Sequence, residues 1–199
     1  MNGRNKVFIT IEGIDGSGKT SVSKIIASQL GLQYRSQKSL STYMEIENDL
    51  YLNYCNNFRK NTNSDSDSML MLYSLSCYLS GCGENVICDR HLPTVYFWYG
   101  NDKNICIADM IYKMTKKPDI TIILNVSIGT AIERIKQKRL KNEISDYVYQ
   151  RDLEKAKKAE DFVPKTRSFL HYFNLKYFII DADKKSIPEI VTEIISLIK

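Results

Sequence analysis

The chain has 199 residues, 43% hydrophobic and 26% charged, with 28 Lys and Arg against 23 Asp and Glu for a formal net charge of +5. This fits one packed domain and excludes global disorder; the mild basicity suits an anionic ligand but lacks the dense basic face of a nucleic-acid binder. The five cysteines, at 55, 77, 82, 88 and 106, are odd in number and never spaced as CxxC, and His91 and His171 are the two histidines, so reduced, mostly buried thiols are expected, not disulfides or zinc.

In chain order, Val7–Ile11 is apolar and β-branched, the pattern of a strand covered on both faces. Val22, Ile25, Ile26 and Leu30 then follow helical spacing, and Gly31 marks the stop. Leu32–Arg35 is a short candidate strand, and Asn61–Ser68 a polar, low-complexity loop. Val86–Cys88, Ile120–Val126 and Tyr177–Ile180 read as further buried strands. Tyr149–Tyr172 reads as a charged helix as far as Val163, with Pro164 breaking it. Ile187, Ile190, Val191, Ile194, Ile195 and Ile198 make one helical stripe, with Pro188 in its first turn. This alternation predicts an α/β fold of three layers around a five-stranded parallel sheet. No run approaches the roughly 18 apolar residues of a membrane span, and the N-terminus carries no signal-peptide pattern; a cytoplasmic protein with no membrane or nucleic-acid partner is expected.

Gly13, Ile14, Asp15, Gly16, Ser17, Gly18, Lys19 and Thr20 match GxxxxGK(S/T) in full, between a strand and a helix. Such a loop turns backbone N–H groups toward phosphate oxygens at a helix N-terminus. Lys19 is expected on the β- and γ-phosphates and Thr20 on Mg2+, so Mg-ATP is the expected ligand. Asp89 follows a buried strand, at the sheet edge where ligands of α/β folds bind. It is the second candidate metal residue and a candidate catalytic group, with Arg90 beside it placed to fork onto a phosphate.

These residues sit in segments that resemble the thymidylate kinase family over nearly the whole chain. Phe8–Thr20, including Glu12 and Asp15, looks like that family's nucleotide loop. Asp89–Gly100 is similar to its DR(Y/H)xxSxxAYQG pattern, and Lys117–Arg139 to PDxTxxLxVxxxxAxxRxxxR. Phe178–Ile190 looks like its closing strand, adenine-side loop and helix. The resemblance implies a single P-loop kinase domain over 1–199 that phosphorylates a nucleoside monophosphate, dTMP first, using ATP and Mg2+. By position, Asp15 would approach the acceptor's sugar hydroxyl and Arg90 its phosphate. With Gly16 where some members carry a loop arginine, the resemblance implies a basic lid, and Gln137–Arg151 is the candidate. Arg139 and Arg151 are its expected catalytic guanidiniums.

The departures fall on the acceptor side. Where the family shows REPGG, this chain has Arg35, Ser36, Gln37, Lys38 and Ser39, so only Arg35 matches. The family's base-reading arginine is replaced by Ser76 or Cys77 within Met71–Leu79. Phe97, Trp98 and Tyr99 stand in place of AYQ. Arg35, Tyr73, Cys77, Thr94, Phe97, Trp98 and Tyr99 are therefore the expected acceptor pocket, remodelled in its specificity. A homodimer is expected through an apolar helix near Met69–Leu79. Alternatives are a deoxynucleoside kinase, whose ERS-like motif would replace Asp89-Arg90-His91, a kinase of a specialised metabolite, and a nucleotide switch, for which no NKxD-like element is present.

Overall fold

The computed structural model describes residues 7–36 and 85–198. Asn61–Ser68, Tyr73, Cys77 and the expected dimer helix lie outside the described residues. Five strands form one parallel sheet: β1 (Phe8–Gly13), β2 (Gln33–Ser36), β3 (Val86–Asp89), β4 (Ile120–Asn125) and β5 (Tyr177–Asp181), in the order β2-β3-β1-β4-β5. β1 is central, with Ile11 opposite Asp89 on one side and Gly13 opposite Leu124 on the other. The glycine-rich loop that follows β1 therefore opens in the middle of the sheet's carboxyl edge.

The described helices are α1 (Lys19–Leu30), α2 (Leu92–Tyr99), α3 (Ile105–Met114), α4 (Ile128–Leu140), α5 (Asp146–Lys157), α6 (Phe162–Tyr172) and α7 (Ile187–Ile198). Strand alternation feeds two cores. Ile9, Ile11, Ile87 and Ile122 meet Val22 and Ile26 of α1 and Ile190, Val191 and Ile194 of α7. Phe8, Cys88 and Ile123 face the other way, onto Leu92 and Val95 of α2, Ile111 of α3 and Phe162 and Phe169 of α6. Each such fully buried side chain contributes about 1.5–3 kcal/mol of transfer free energy, so the sheet is clamped from both sides and its carboxyl edge is a fixed platform.

Three sequence expectations change. Ile25 lies on the solvent edge of the α1 stripe, 36% exposed. Cys106 is exposed, whereas Cys88 is buried. The charged segment breaks before Val163: α5 ends at Lys157, and Pro164 sits in the first turn of α6. A first-turn residue has no intrahelical acceptor for its N–H, so proline is accommodated there. The chain therefore bends at residues 158–161, which turns α5 away from α6.

Candidate active site

The turn after β1 brings three charged groups together. Lys19, buried at the start of α1, donates from Nζ to the Ile14 carbonyl at 2.5 Å and to Ser17 Oγ at 3.3 Å. Burial, followed by repulsion from Arg90, lowers its pKa from 10.5 to about 8, against the pull of Asp15, Asp89 and Glu12. Arg90 forms an ion pair with Asp15. Burial alone would raise the Asp15 carboxyl; Arg90 and Lys19 outweigh it and hold it well below the usual carboxylate range. Burial likewise works against the Arg90 charge, and Asp15 and Asp89 more than offset it.

Arg90 has a left-handed backbone, φ 71°, which is strained for a long side chain. Its N–H donates to the Ile11 carbonyl at 3.0 Å, so the β1–β3 pairing holds it in that conformation and aims the guanidinium at the loop. Fixed strain of this kind concentrates at functional sites.

Asp89, at the end of β3, is buried. Its Oδ2 accepts the Thr20 hydroxyl at 2.5 Å and the Tyr34 hydroxyl at 3.3 Å. Thr20 points its proton at the carboxylate, which leaves its lone pairs for a cation. Two hard oxygens at the mouth of a phosphate loop fit Mg2+, which takes few protein ligands and completes its octahedron with phosphates and water. Among the described residues no cluster of three His, Cys, Asp or Glu forms a fuller metal cage.

Glu12, the last-but-one residue of β1, is fully buried. Its Oε2 accepts from the Thr94 hydroxyl at 2.5 Å and the Thr94 N–H at 3.3 Å, while Oε1 has no hydrogen-bond partner. Desolvation raises its pKa from 4.5 to about 7, against Thr94, Lys19 and Arg90. Thr94 was expected in the acceptor pocket; the structure buries it and turns its hydroxyl to Glu12, so it ties α2 to the end of β1.

The other expected acceptor residues fan around α2. Phe97 packs edge-on against Phe162, with centroids 4.9 Å apart, and Lys165 lies over its ring at 5.7 Å. Trp98 receives Lys155 of α5 at 5.5 Å. The Tyr99 carbonyl accepts from Asn104 Nδ2 at 3.0 Å. The Phe97 and Trp98 rings touch edge-on, with centroids 4.7 Å apart, and Tyr99 follows about 100° further round the helix. Arg35 is buried on the face of its register partner Cys88, and its Nη2 donates to Gln33 Oε1 at 2.8 Å.

The expected lid spans the end of α4, the turn and the first half of α5. Arg139 pairs with Asp146 at 2.6 Å and Arg151 with Asp152 at 2.7 Å. The charges of Asp152 and Lys155 reach Arg90 and Asp15 respectively, so α5 adjoins the phosphate loop beyond the end of the expected lid. Lys155, Tyr34 and Arg134 stand outside the residues expected at the site. Arg134 donates to the carbonyls of Ala182 at 2.7 Å and Asp183 at 3.4 Å, fastening the loop after β5 to α4. Its place in the AxxR stretch of Lys117–Arg139 was the available signal. For Lys155 and Tyr34 only the folded arrangement reveals the proximity.

Among known proteins, the family described as thymidylate kinase matches residues 67–194. A probable thymidylate kinase from Methanocaldococcus jannaschii is 29% identical, covering 98% of this chain and 97% of the relative. Another from Sulfolobus acidocaldarius is 30% identical over 96% and 95%. Among solved structures, thymidylate kinase from Ehrlichia chaffeensis has a TM-score of 0.64 at 17% identity, over 98% of this chain and 100% of that one. A deoxyadenosine kinase from M. mycoides has a TM-score of 0.56 at 21% identity, over 96% and 98%. The solved structures establish the P-loop kinase fold, and the match to the sequence family establishes membership: the chain belongs to the thymidylate kinase family of nucleotide kinases.

Proposed function

We propose that the chain transfers a phosphoryl group from Mg-ATP to a nucleoside monophosphate, converting dTMP to dTDP in an acceptor pocket remodelled relative to the family pattern. The observation that carries this reading is the meeting of Lys19, the Arg90–Asp15 pair and the Thr20–Asp89 pair at one sheet edge. Residues 13–20 hold the donor phosphates, with Lys19 leaving the Ile14 carbonyl for the β- and γ-oxygens. Thr20 and Asp89 would hold Mg2+, which when bound neutralises charge on the transferring group. Arg90 binds the acceptor phosphate, and Asp15, kept ionised beside it, accepts a hydrogen bond from the acceptor's sugar hydroxyl. Arg139 and Arg151 on the 137–151 lid are assigned to the transferred phosphoryl, which requires Arg139 to exchange the exposed Asp146 carboxylate, and Arg151 the largely buried Asp152 carboxylate, for phosphate oxygens. The exposed Arg139–Asp146 pair contributes only about 0–1 kcal/mol, so its exchange is cheap. Because positioning and electrostatics do most of this chemistry, fixed cations of this kind suffice.

The remodelling rests on Arg35, Phe97, Trp98 and Tyr99 among the described residues, and on Tyr73 and Cys77 beyond them. The same reading takes 1–199 as one domain, working as a cytoplasmic homodimer. The test is an ADP-release assay with Mg-ATP across all deoxy- and ribonucleoside monophosphates and the free nucleosides. The expected outcome is turnover with dTMP accompanied by relaxed or shifted selectivity. Ordinary dTMP selectivity and rate overturn the remodelling, and turnover with nucleosides alone overturns the monophosphate acceptor.

A further inference from the structure

Asp89 is held in part by a residue that has no role in the proposed reaction, Tyr34. Its Oδ2 receives two hydroxyls, from Thr20 at 2.5 Å and from Tyr34 at 3.3 Å. Tyr34 in turn makes a side-chain hydrogen bond with Ser36, the residue opposite Asp89 in the β2–β3 register. A short relay of hydroxyls thus runs from the end of β2 to the carboxylate. Tyr34 is half-buried, with Lys24 of α1 5.7 Å from its ring centroid. A phenol hydroxyl is a hydrogen-bond donor, and a carboxylate oxygen can only accept from it.

The geometry points to Tyr34 as a positioning residue: its hydroxyl fixes the rotamer in which Asp89, together with Thr20, meets the divalent cation of the bound nucleotide. This rests on the Mg-ATP reading above. A carboxylate whose Oδ2 is engaged by donors from α1 and β2 cannot swing without releasing both. At 3.3 Å the Tyr34 bond is the weaker of the two, so it orients more than it binds. Orientation matters here because a site with two protein oxygens relies on their placement, and outer-shell partners of metal ligands typically carry 10–100-fold in metal affinity. Tyr34 lies on the opposite face of β2 from Arg35, so this role is separate from the acceptor pocket.

The experiment is calorimetric titration of ATP into the full-length protein, once with EDTA and once with excess Mg2+, for the parent, Tyr34→Phe and Ser36→Ala. Tyr34→Phe keeps the ring and its contact with Lys24, so a packing role is untouched. The expected result is unchanged affinity in EDTA and a loss of about tenfold or more in the Mg2+-dependent gain, with a smaller loss in the same direction for Ser36→Ala. Parent-like Mg2+ dependence in Tyr34→Phe overturns the inference, as does an equal loss with and without the cation. A parent protein with no Mg2+-dependent gain overturns the Mg-ATP reading and this inference together, and the parent titration alone identifies that case.

Discussion

Glu12 is the most exacting single residue in the structure, because it places a carboxyl in the dry centre of the sheet with one oxygen unpartnered. Its pKa is about 7 in the folded chain against an ordinary 4.5. Between these values the folded state keeps a proton that the unfolded state has lost. Stability therefore falls as pH rises from about 4.5 to about 7 and levels off above. Replacing Glu12 by Gln removes this titration and keeps the shape. Urea unfolding of both proteins from about pH 5 to about pH 8 should show the variant gaining on the parent by roughly 2–3 kcal/mol. A difference that stays flat with pH would mean that Lys19 and Arg90 keep Glu12 ionised throughout. A second residue-scale prediction concerns the loop position that carries arginine in some family members. Gly16 has φ 86°, and a Cβ there would lie 2.4 Å from the Ala131 carbonyl oxygen of α4. Gly31, at φ 64°, has open space around it. Gly16→Ala should therefore cost at least about 2 kcal/mol and weaken ATP binding, whereas Gly31→Ala should cost only about 1 kcal/mol of backbone strain. Thermal melts of the two variants decide it; equal losses would mean that α4 yields easily.

At the scale of elements, α1 and α7 show how far periodicity reads a helix. The Ile187–Ile198 stripe was legible because Ile190, Val191 and Ile194 recur on one face, and that face is buried. Ile25 has equally good spacing in α1 yet is exposed, since β2 and β3 cover only part of that helix. Ile194→Ala should cost about 2–5 kcal/mol through lost burial and a cavity, and Ile25→Ala within about 0.5 kcal/mol, both measured by urea denaturation. Comparable losses would mean that Ile25 is covered in solution. The five strands, the phosphate loop and the Asp89–Arg90 turn were legible because each is a local pattern with a mechanical reason: β-branched runs, a glycine turn, an acid at a strand end. The bend at residues 158–161 was not, because proline both breaks a helix interior and starts a helix, and only packing of Phe162 and Phe169 into the aromatic core selects the second role. Thr94 illustrates the same limit within the site. Its position suggested substrate, but a buried acid 82 residues earlier claims its hydroxyl. Tyr34 and Lys155 gave no signal, because their partners come from distant segments brought together by the sheet.

For the whole molecule, the question is whether the two cores and the α4–α5 pair melt as one. The sheet links the cores directly: every central strand contributes alternate residues to both faces. Glu12–Thr94 then ties β1 to α2, and Arg90–Asp15 ties the phosphate loop to the turn after β3. Losing either core strips the other of its floor, so a single cooperative transition is expected over 1–199. Trp98, the single tryptophan, sits on α2 between the aromatic core and Lys155 of α5, so its fluorescence reports the α2–α5 contact, while far-ultraviolet circular dichroism averages over all helices. Urea transitions followed by the two signals should coincide. Saturation with Mg-ATP at about a hundredfold over its Kd should move both midpoints together, corresponding to about 2.7 kcal/mol. If Trp98 changes at lower urea than the helices, the α2–α5 side forms a separate unit of lower stability. Mg-ATP would then shift the dichroism midpoint and leave the Trp98 midpoint in place. That pattern would locate the family's substrate-side variation in the part of the molecule whose loss leaves the donor site folded.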